Sequence, residues 1–202
     1  MAILFVERLE DYLEAIYDIQ FNEGKVAKTN DLAKRLNVRP STVTEMLSKL
    51  SKKGYIKYQP YYGAVLTKKG EKIAKRVKKY NKIFKVFFEE FLKLDKETSQ
   101  KLSCEVEHHI NDDVAKTICK IISELCNFCE ECAYKSFKLS EAPPGVYKVL
   151  FAPAILTKIG IAPKKKICVN EKGNIIIGKK EVNISKDLAS WVVIEPIEVN
   201  CK

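Results

Sequence analysis

The run KTNDLAKRLNVRPSTVTEMLSKLSKKGYIKYQPYYGAVLTKKG, residues 28–70, constrains this chain most. Leu32, Ala33 and Leu36 form the apolar side of a short helix, Asp31 to Leu36, which Thr29 or Asn30 can cap. The sequence NVRP ends that helix, because the residue before a proline is pushed out of the helical region. Pro40 or Ser41 then opens a second helix with Val43, Met46, Leu47 and Leu50 inward, and Gly54 is its left-handed stop. Two short helices joined by a tight turn make a helix-turn-helix.

The residues after Gly54 narrow the fold further. Tyr55 to Tyr58 and Ala64 to Thr67 read as two strands around a Pro/Gly turn, a β-hairpin wing. Ahead of the run, Leu9, Tyr12, Leu13, Ile16, Tyr17 and Ile19 repeat with a helical period within Leu4 to Asn22. Helix, helix-turn-helix and hairpin in this order predict a winged-helix domain.

Charge says what such a domain would meet. Between Lys28 and Lys82 there are 16 Lys/Arg against 3 Asp/Glu, while the whole chain carries +10, so the remainder is about −3. A basic excess confined to one segment points to a polyanion, double-stranded DNA above all. The alternative is a protein-interaction winged helix with a solvated basic face. Arg39, Ser41, Thr42, Thr44 and Glu45 stand at the start of the second helix, where base edges and phosphates are reached. Lys57, Tyr61 and Tyr62 on the wing, with Lys28 and Lys34, would mostly hold phosphates. Glu45 would repel phosphate, so it either accepts from a cytosine amino group or points away.

Three helices are expected next: Thr67 to about Leu92, about Lys96 to His109, and about Asp112 to Cys126. Ile83, Phe84, Phe87, Phe88 and Phe91 give them more apolar surface than they can hide from one another, so a homodimer interface is expected. After APPG the chain turns β-branched and Gly-punctuated, which predicts a small C-terminal β-barrel. The fold class is α+β, divided at 1–68, 69–136 and 137–202. No signal peptide and no apolar run of membrane-spanning length is found, so a cytoplasmic protein without a membrane partner is expected. In that compartment the 7 Cys read as small buried residues or metal ligands rather than disulfides.

The stretch SCEVEHH carries the chemistry. On a helix, Cys104, Glu107 and His108 fall at i, i+3 and i+4, which places a thiol, a carboxylate and an imidazole about one turn apart. Together they are a first-row transition-metal ligand set. Asp11 and Glu14, at i and i+3 near the N-terminus, share a face that could meet them. On spacing alone the same residues also fit a core cysteine, a solvated Glu/His edge and ordinary first-turn carboxylates. A separate run, CNFCEEC, spaces Cys126, Cys129 and Cys132 as C-x₂-C-x₂-C with Cys119 seven residues earlier, which could hold Zn(II) or an iron–sulfur cluster. The other reading is core and linker cysteines.

In this order the pieces resemble the DtxR/MntR family of iron- and manganese-dependent repressors. EDYLEAIY is similar to its opening helix, RPSTVTEMLSKLSKKGYI to its recognition helix, YYGAVLTKKGEKIA to its wing and following helix, and CEVEHHI to its metal-binding helix. The C-terminal part is similar to the FeoA-type SH3-like domain of many members. The resemblance implies that Asp11, Cys104, Glu107 and His108 ligate a regulatory Fe(II) or Mn(II), with Glu14 where manganese sensors place a further ligand. The pattern departs at Asn81 and Gln100, where the family has histidines, and at Lys85, where iron sensors have a glutamate. The reading is a homodimeric, metal-dependent repressor acting on operator DNA. It is not an enzyme and takes no small organic substrate. The alternative is a metal-independent winged-helix transcription factor.

Overall fold

The computed structural model describes residues 2–123, 125–126 and 135–197, with side chains from Leu9 onward. The chain forms two compact units: residues 1–84 with 100–110, and residues 85–99 with 111–202.

The first unit begins with α1 (Ala2–Tyr17), which widens into a π-type turn, Asp18–Asn22. Then come α2 (Thr29–Arg35), α3 (Pro40–Lys52), β1 (Ile56–Gln59), β2 (Gly63–Leu66) and α4 (Lys68–Val86). Pro40 is the first residue of α3, where its missing N–H costs nothing, and Arg39 before it is extended. Gly54, at φ +73°, turns the chain out of α3 toward β1. The hairpin is antiparallel, with Ile56 opposite Leu66 and Gln59 opposite Gly63. Ala27 bridges Ala64 and so ties the start of α2 to the wing. Gly63 has no substitute there: its φ is +115°, and a Cβ would lie 2.7 Å from the Ala27 carbonyl oxygen.

Leu13, Ile16, Ile19, Leu32, Val43, Leu47 and Leu50 are fully buried in one core, each contributing roughly 1.5–3 kcal/mol by leaving water. The helical period of α1 and α3 thus buries the residues it predicts, except Tyr17, which is half-buried against the core. One expectation fails at α2. The helix takes Thr29 into its first turn, the cap position falls to Lys28, and no side chain caps it. The bridge from Ala27 to Ala64 of the wing fixes where the chain enters α2, which puts Lys28 rather than Thr29 at the cap position.

Three further elements are shorter than expected. The helix expected to reach Leu92 is α4 followed by a π-type turn, Phe87–Phe91. Next, α5 (Lys96–Val106) stops before Glu107, whose N–H still bonds the Ser103 carbonyl at 3.2 Å, so Glu107 and His108 lie on the turn after it. Then α6 (Asp112–Ile121) is capped by Asn111, whose side chain accepts from the Val114 N–H at 2.9 Å, and it ends five residues before Cys126.

In the second unit, β3 (Phe137–Lys138), β4 (Gly145–Phe151), β5 (Lys166–Val169), β6 (Ile175–Ile177), β7 (Lys180–Val182) and β8 (Val193–Ile197) form an antiparallel sheet. Its order is β3-β8-β4-β5-β6-β7. The short helix α7 (Lys186–Ser190) precedes β8. Tyr147, Val149, Ile167, Val169 and Ile194 alternate inward onto an apolar core with Leu156 and Ile161. Phe91 meets Phe151 of β4 edge-on at 5.3 Å, while Leu92, Leu94 and Val114 stay exposed. Cys168 on β5 is disulfide-bonded, against the expectation of thiols throughout. Among the described residues no helix is long and apolar enough to cross a membrane.

Candidate metal centre and nucleic-acid interface

α1 and the turn after α5 bring five ionisable side chains together. His108 is the hub. Its Nδ1 lies 2.9 Å from Glu10 Oε2, and its Nε2 lies 3.0 Å from Asp11 Oδ1 and 3.5 Å from Glu107 Oε1. Glu10 is also held by Arg76 of α4 at 2.5 Å. Glu107 is buried and His108 half-buried, so a solvated Glu/His edge does not describe them. Glu14 lies near enough for its charge to act on Glu107.

Burial pushes the Glu107 carboxyl up to about 7, and the charge of Glu14 adds to this; the Asn81 amide and His108 oppose it. Burial alone would lower His108, but its hydrogen bonds to Asp11 and Glu10 outweigh that and raise it to about 10. The metal-free cluster therefore stores a proton on the imidazole between carboxylates.

These residues fit a divalent cation. With Nδ1–H donating to Glu10, Nε2 is the ring atom left for a metal, and Glu10 fixes the tautomer as carboxylates behind ligating histidines do. Asp11 and Glu107 already approach that same Nε2 from two different elements. Glu107 Oε2 is buried with no hydrogen-bond partner, a costly arrangement for a carboxylate oxygen that a cation would relieve. Among the described residues, no three such side chains are already spaced around one point as ligands; here they bond one another.

Cys104 stands apart from the His108 contacts. It is exposed rather than core, and its Sγ receives N–H donors from Asn81 at 3.4 Å and Gln100 at 3.2 Å. Asn81 also bonds Ser103 and Glu107, so one amide links the thiol to the buried carboxylate. Glu14 faces Lys78 of α4 at 3.5 Å. Lys85, near the end of α4, pairs at 4.0 Å with Glu89 of the π-type turn that follows. Cys126 is half-buried, and Cys129 and Cys132 lie outside the described residues.

The basic face is built differently, entirely from exposed side chains. Arg39, Ser41, Thr42, Thr44 and Glu45 lie on the outer side of the start of α3, opposite Val43, Met46 and Leu47. Lys28, Lys34, Lys57, Tyr61 and Tyr62 are exposed as well. Tyr61 is completely exposed at the wing tip and carries φ +69°. Lys28, Thr29, Asn30, Thr44, Tyr58 and Tyr61 line an open groove of about 430 Å³ between helices and wing. Glu45 is bound by Lys49 at 2.6 Å, one helical turn on, which removes its bare negative charge from this face.

Two family models match this chain: the iron dependent repressor N-terminal DNA binding domain over residues 4–64, and the iron dependent repressor metal binding and dimerisation domain over residues 67–135. The chain belongs to the iron-dependent repressor family. It is 42% identical over 118 residues to an uncharacterized HTH-type transcriptional regulator of Methanocaldococcus jannaschii, covering 58% of this chain and 94% of that one. It is 39% identical over 106 residues to the HTH-type transcriptional regulator MntR of Bacillus subtilis, covering 51% and 71%. In fold it is similar to the metal-dependent transcriptional regulator MtsR, with TM-score 0.54, 17% identity and coverage of 94% and 98%. It is likewise similar to IdeR of T. acidophilum, with TM-score 0.51, 16% identity and coverage of 93% and 97%. Both matched solved chains extend over the C-terminal sheet, which the two family models do not reach.

For an iron-dependent repressor, one residue of this cluster went unread in the sequence: Glu10. The signal was present. Glu10 sits between Leu9 and Leu13 on the buried side of α1, and an acidic residue there needs a partner. Its partners, Arg76 and His108, are 66 and 98 residues away.

Proposed function

We propose that this protein is a metal-activated repressor that binds operator DNA as a homodimer inside the cell, with Asp11, Cys104, Glu107 and His108 as ligands to Fe(II) or Mn(II). The observation that carries this reading is the approach of Asp11 and Glu107, from separate elements, to the Nε2 of His108, whose Nδ1 is already taken by Glu10. When bound, the metal supplies a divalent positive charge to these carboxylates in place of the imidazole proton. The chain's own residues do the rest. Arg76 holds Glu10, and Glu10 holds the ring. Cys104 gives its thiol at the cost of a proton. Asp11 lies on α1, which packs in the helix-turn-helix core, whereas Glu107 and His108 lie in a segment whose flanks on both sides belong to the other unit. Tying α1 to that segment would favour one arrangement of the winged helix and shift the population toward DNA binding. The exposed apolar residues Leu92, Leu94 and Val114 support a second copy as partner for the dimerisation domain.

One observation favours a second reading, a metal-independent winged-helix factor. Both imidazole nitrogens of His108 already have carboxylate partners, so the cluster could be purely structural. Calorimetric titration of the reduced, metal-free protein with Mn(II) and Fe(II) separates the two. Tight binding that is lost in Asp11→Ala and in His108→Ala is expected. Equal binding in those variants would overturn the ligand set, and no binding in the parent would favour the structural cluster.

A further inference from the structure

Beyond the His108 contacts, α1 and the turn after it carry two more carboxylates, Glu14 and Asp18, one turn apart. Both face one ammonium. Lys78 Nζ of α4 lies 2.6 Å from Asp18 Oδ1 and 3.5 Å from Glu14 Oε1. All three side chains are about three-quarters buried, and the same Nζ lies 5.9 Å from the Tyr17 ring centroid. Asp18 has Arg35 at 3.5 Å and an Asn22 amide at 2.9 Å besides. Two carboxylates thus converge on a compact cation next to the place where Asp11 and Glu107 meet His108.

We propose that Lys78 is a built-in counter-cation that stands where a second divalent ion would otherwise sit, keeps Glu14 out of the coordination shell, and limits each subunit to one regulatory ion. The inference rests on the metal-binding reading of Asp11 and His108 and deepens it. An ammonium is a strongly hydrated point charge whose three donors suit two converging carboxylates. A dication beside it would meet direct Coulomb repulsion in a partly buried setting, where screening is weak. Asn81, one turn along α4 from Lys78, brings no negative charge either, being an amide engaged with Cys104 and Ser103. Glu14 therefore has its positive partner from the chain itself, whereas Asp11 has only the His108 ring among the ion pairs of the described residues.

The test counts Mn(II) on the reduced full-length protein by the electron paramagnetic resonance of the free ion. Mn(II) is chosen because a thiolate cluster holds such a hard ion poorly. The wild type and Lys78→Arg should bind one ion per subunit, and Lys78→Met a second, weaker one. Glu14→Gln should leave the affinity for the first ion within about 3-fold, whereas loss of a ligand would cost well beyond the roughly 10–100-fold seen for outer-shell partners. In chelator, Lys78→Met should melt below the wild type and recover more than it on adding Mn(II). Two ions on the wild type, one on a folded Lys78→Met, or a first ion weakened more than about 10-fold by Glu14→Gln would each overturn the inference while sparing the reading of Asp11 and His108. A wild type that binds no Mn(II) would overturn both. If Lys78→Met does not fold, Glu14→Gln and the wild-type count still decide.

Discussion

The core of the first unit, running from Leu9 to Ala74, and that of the second, from Leu139 to Ile194, are both assembled from aliphatic and tyrosine side chains. They differ in what is buried beside them. Glu10 and Glu107 are buried next to the first, with His108 between them, while no acidic or basic residue between Phe137 and Ile197, around the second core, is buried. Taking carboxylates out of water costs free energy that an apolar replacement would not, so stability does not explain them. The C-terminal sheet shows that this chain can build a core without such groups. Where it buries charge, it is the charge that matters, and perturbed ionisations cluster at the same place.

Breaking the cluster should have the largest effect. Replacing His108 with Ala should abolish metal-activated DNA binding and weaken Mn(II) or Fe(II) binding by more than about 100-fold, while light scattering still shows a dimer. A variant that still responds to metal would end the functional contrast between the two cores.

Damage to the apolar cores themselves should look different. Leu47→Ala and Ile194→Ala each remove a fully buried side chain, and each should cost about 2–5 kcal/mol in denaturant unfolding. The Ile194 variant should keep its metal affinity. If it loses metal binding as fully as His108→Ala does, the two cores are not functionally distinct.

Acidity offers a third comparison. In the metal-free protein Glu107 keeps its proton up to about 7, against 4.5 for an unperturbed carboxyl, so the folded chain binds more protons than the unfolded one in that window. Stability without metal should therefore fall as pH rises from 4.5 to 7, by an amount on the order of 3 kcal/mol. His108 acts in the same direction. Its contribution is complete below 6.5 and is lost as pH climbs toward 10. A metal competes with both protons, so the gain in melting temperature on adding Mn(II) should grow between about pH 5.5 and 8. A gain that does not change with pH would mean that neither group ligates.

The smallest effect should come from the exposed basic face. Lys57→Ala should weaken DNA binding roughly equally for all sequences and reduce the salt slope by about 0.9, with metal affinity unchanged.

Most of the winged helix could be read from the sequence because its signals are local. Pro40 opens α3, Gly54 closes it, and Val43, Met46, Leu47 and Leu50 keep one face within a single helix. Glu107 and His108 were legible for the same reason, being neighbours in a short motif. The partners that give them meaning were not. Glu10 meets His108 across 98 residues and Lys78 meets Glu14 across 64, and no periodicity encodes such a meeting. The missing cap of α2 has a similar cause, since the Ala27–Ala64 bridge that sets the start of the helix joins segments far apart in the chain. Cys104 had the right spacing to be a ligand, but only packing could show it exposed and held by Asn81 and Gln100.

The central claim is that a metal at Asp11, Cys104, Glu107 and His108 governs DNA binding by the face around α3. Fluorescence anisotropy of the reduced protein on operator DNA, at one fixed salt concentration, tests it directly: Mn(II) or Fe(II) in one arm and excess chelator in the other. Binding should be tight with metal and fall to the sequence-independent level in chelator. Equal operator affinity in both arms would contradict the account.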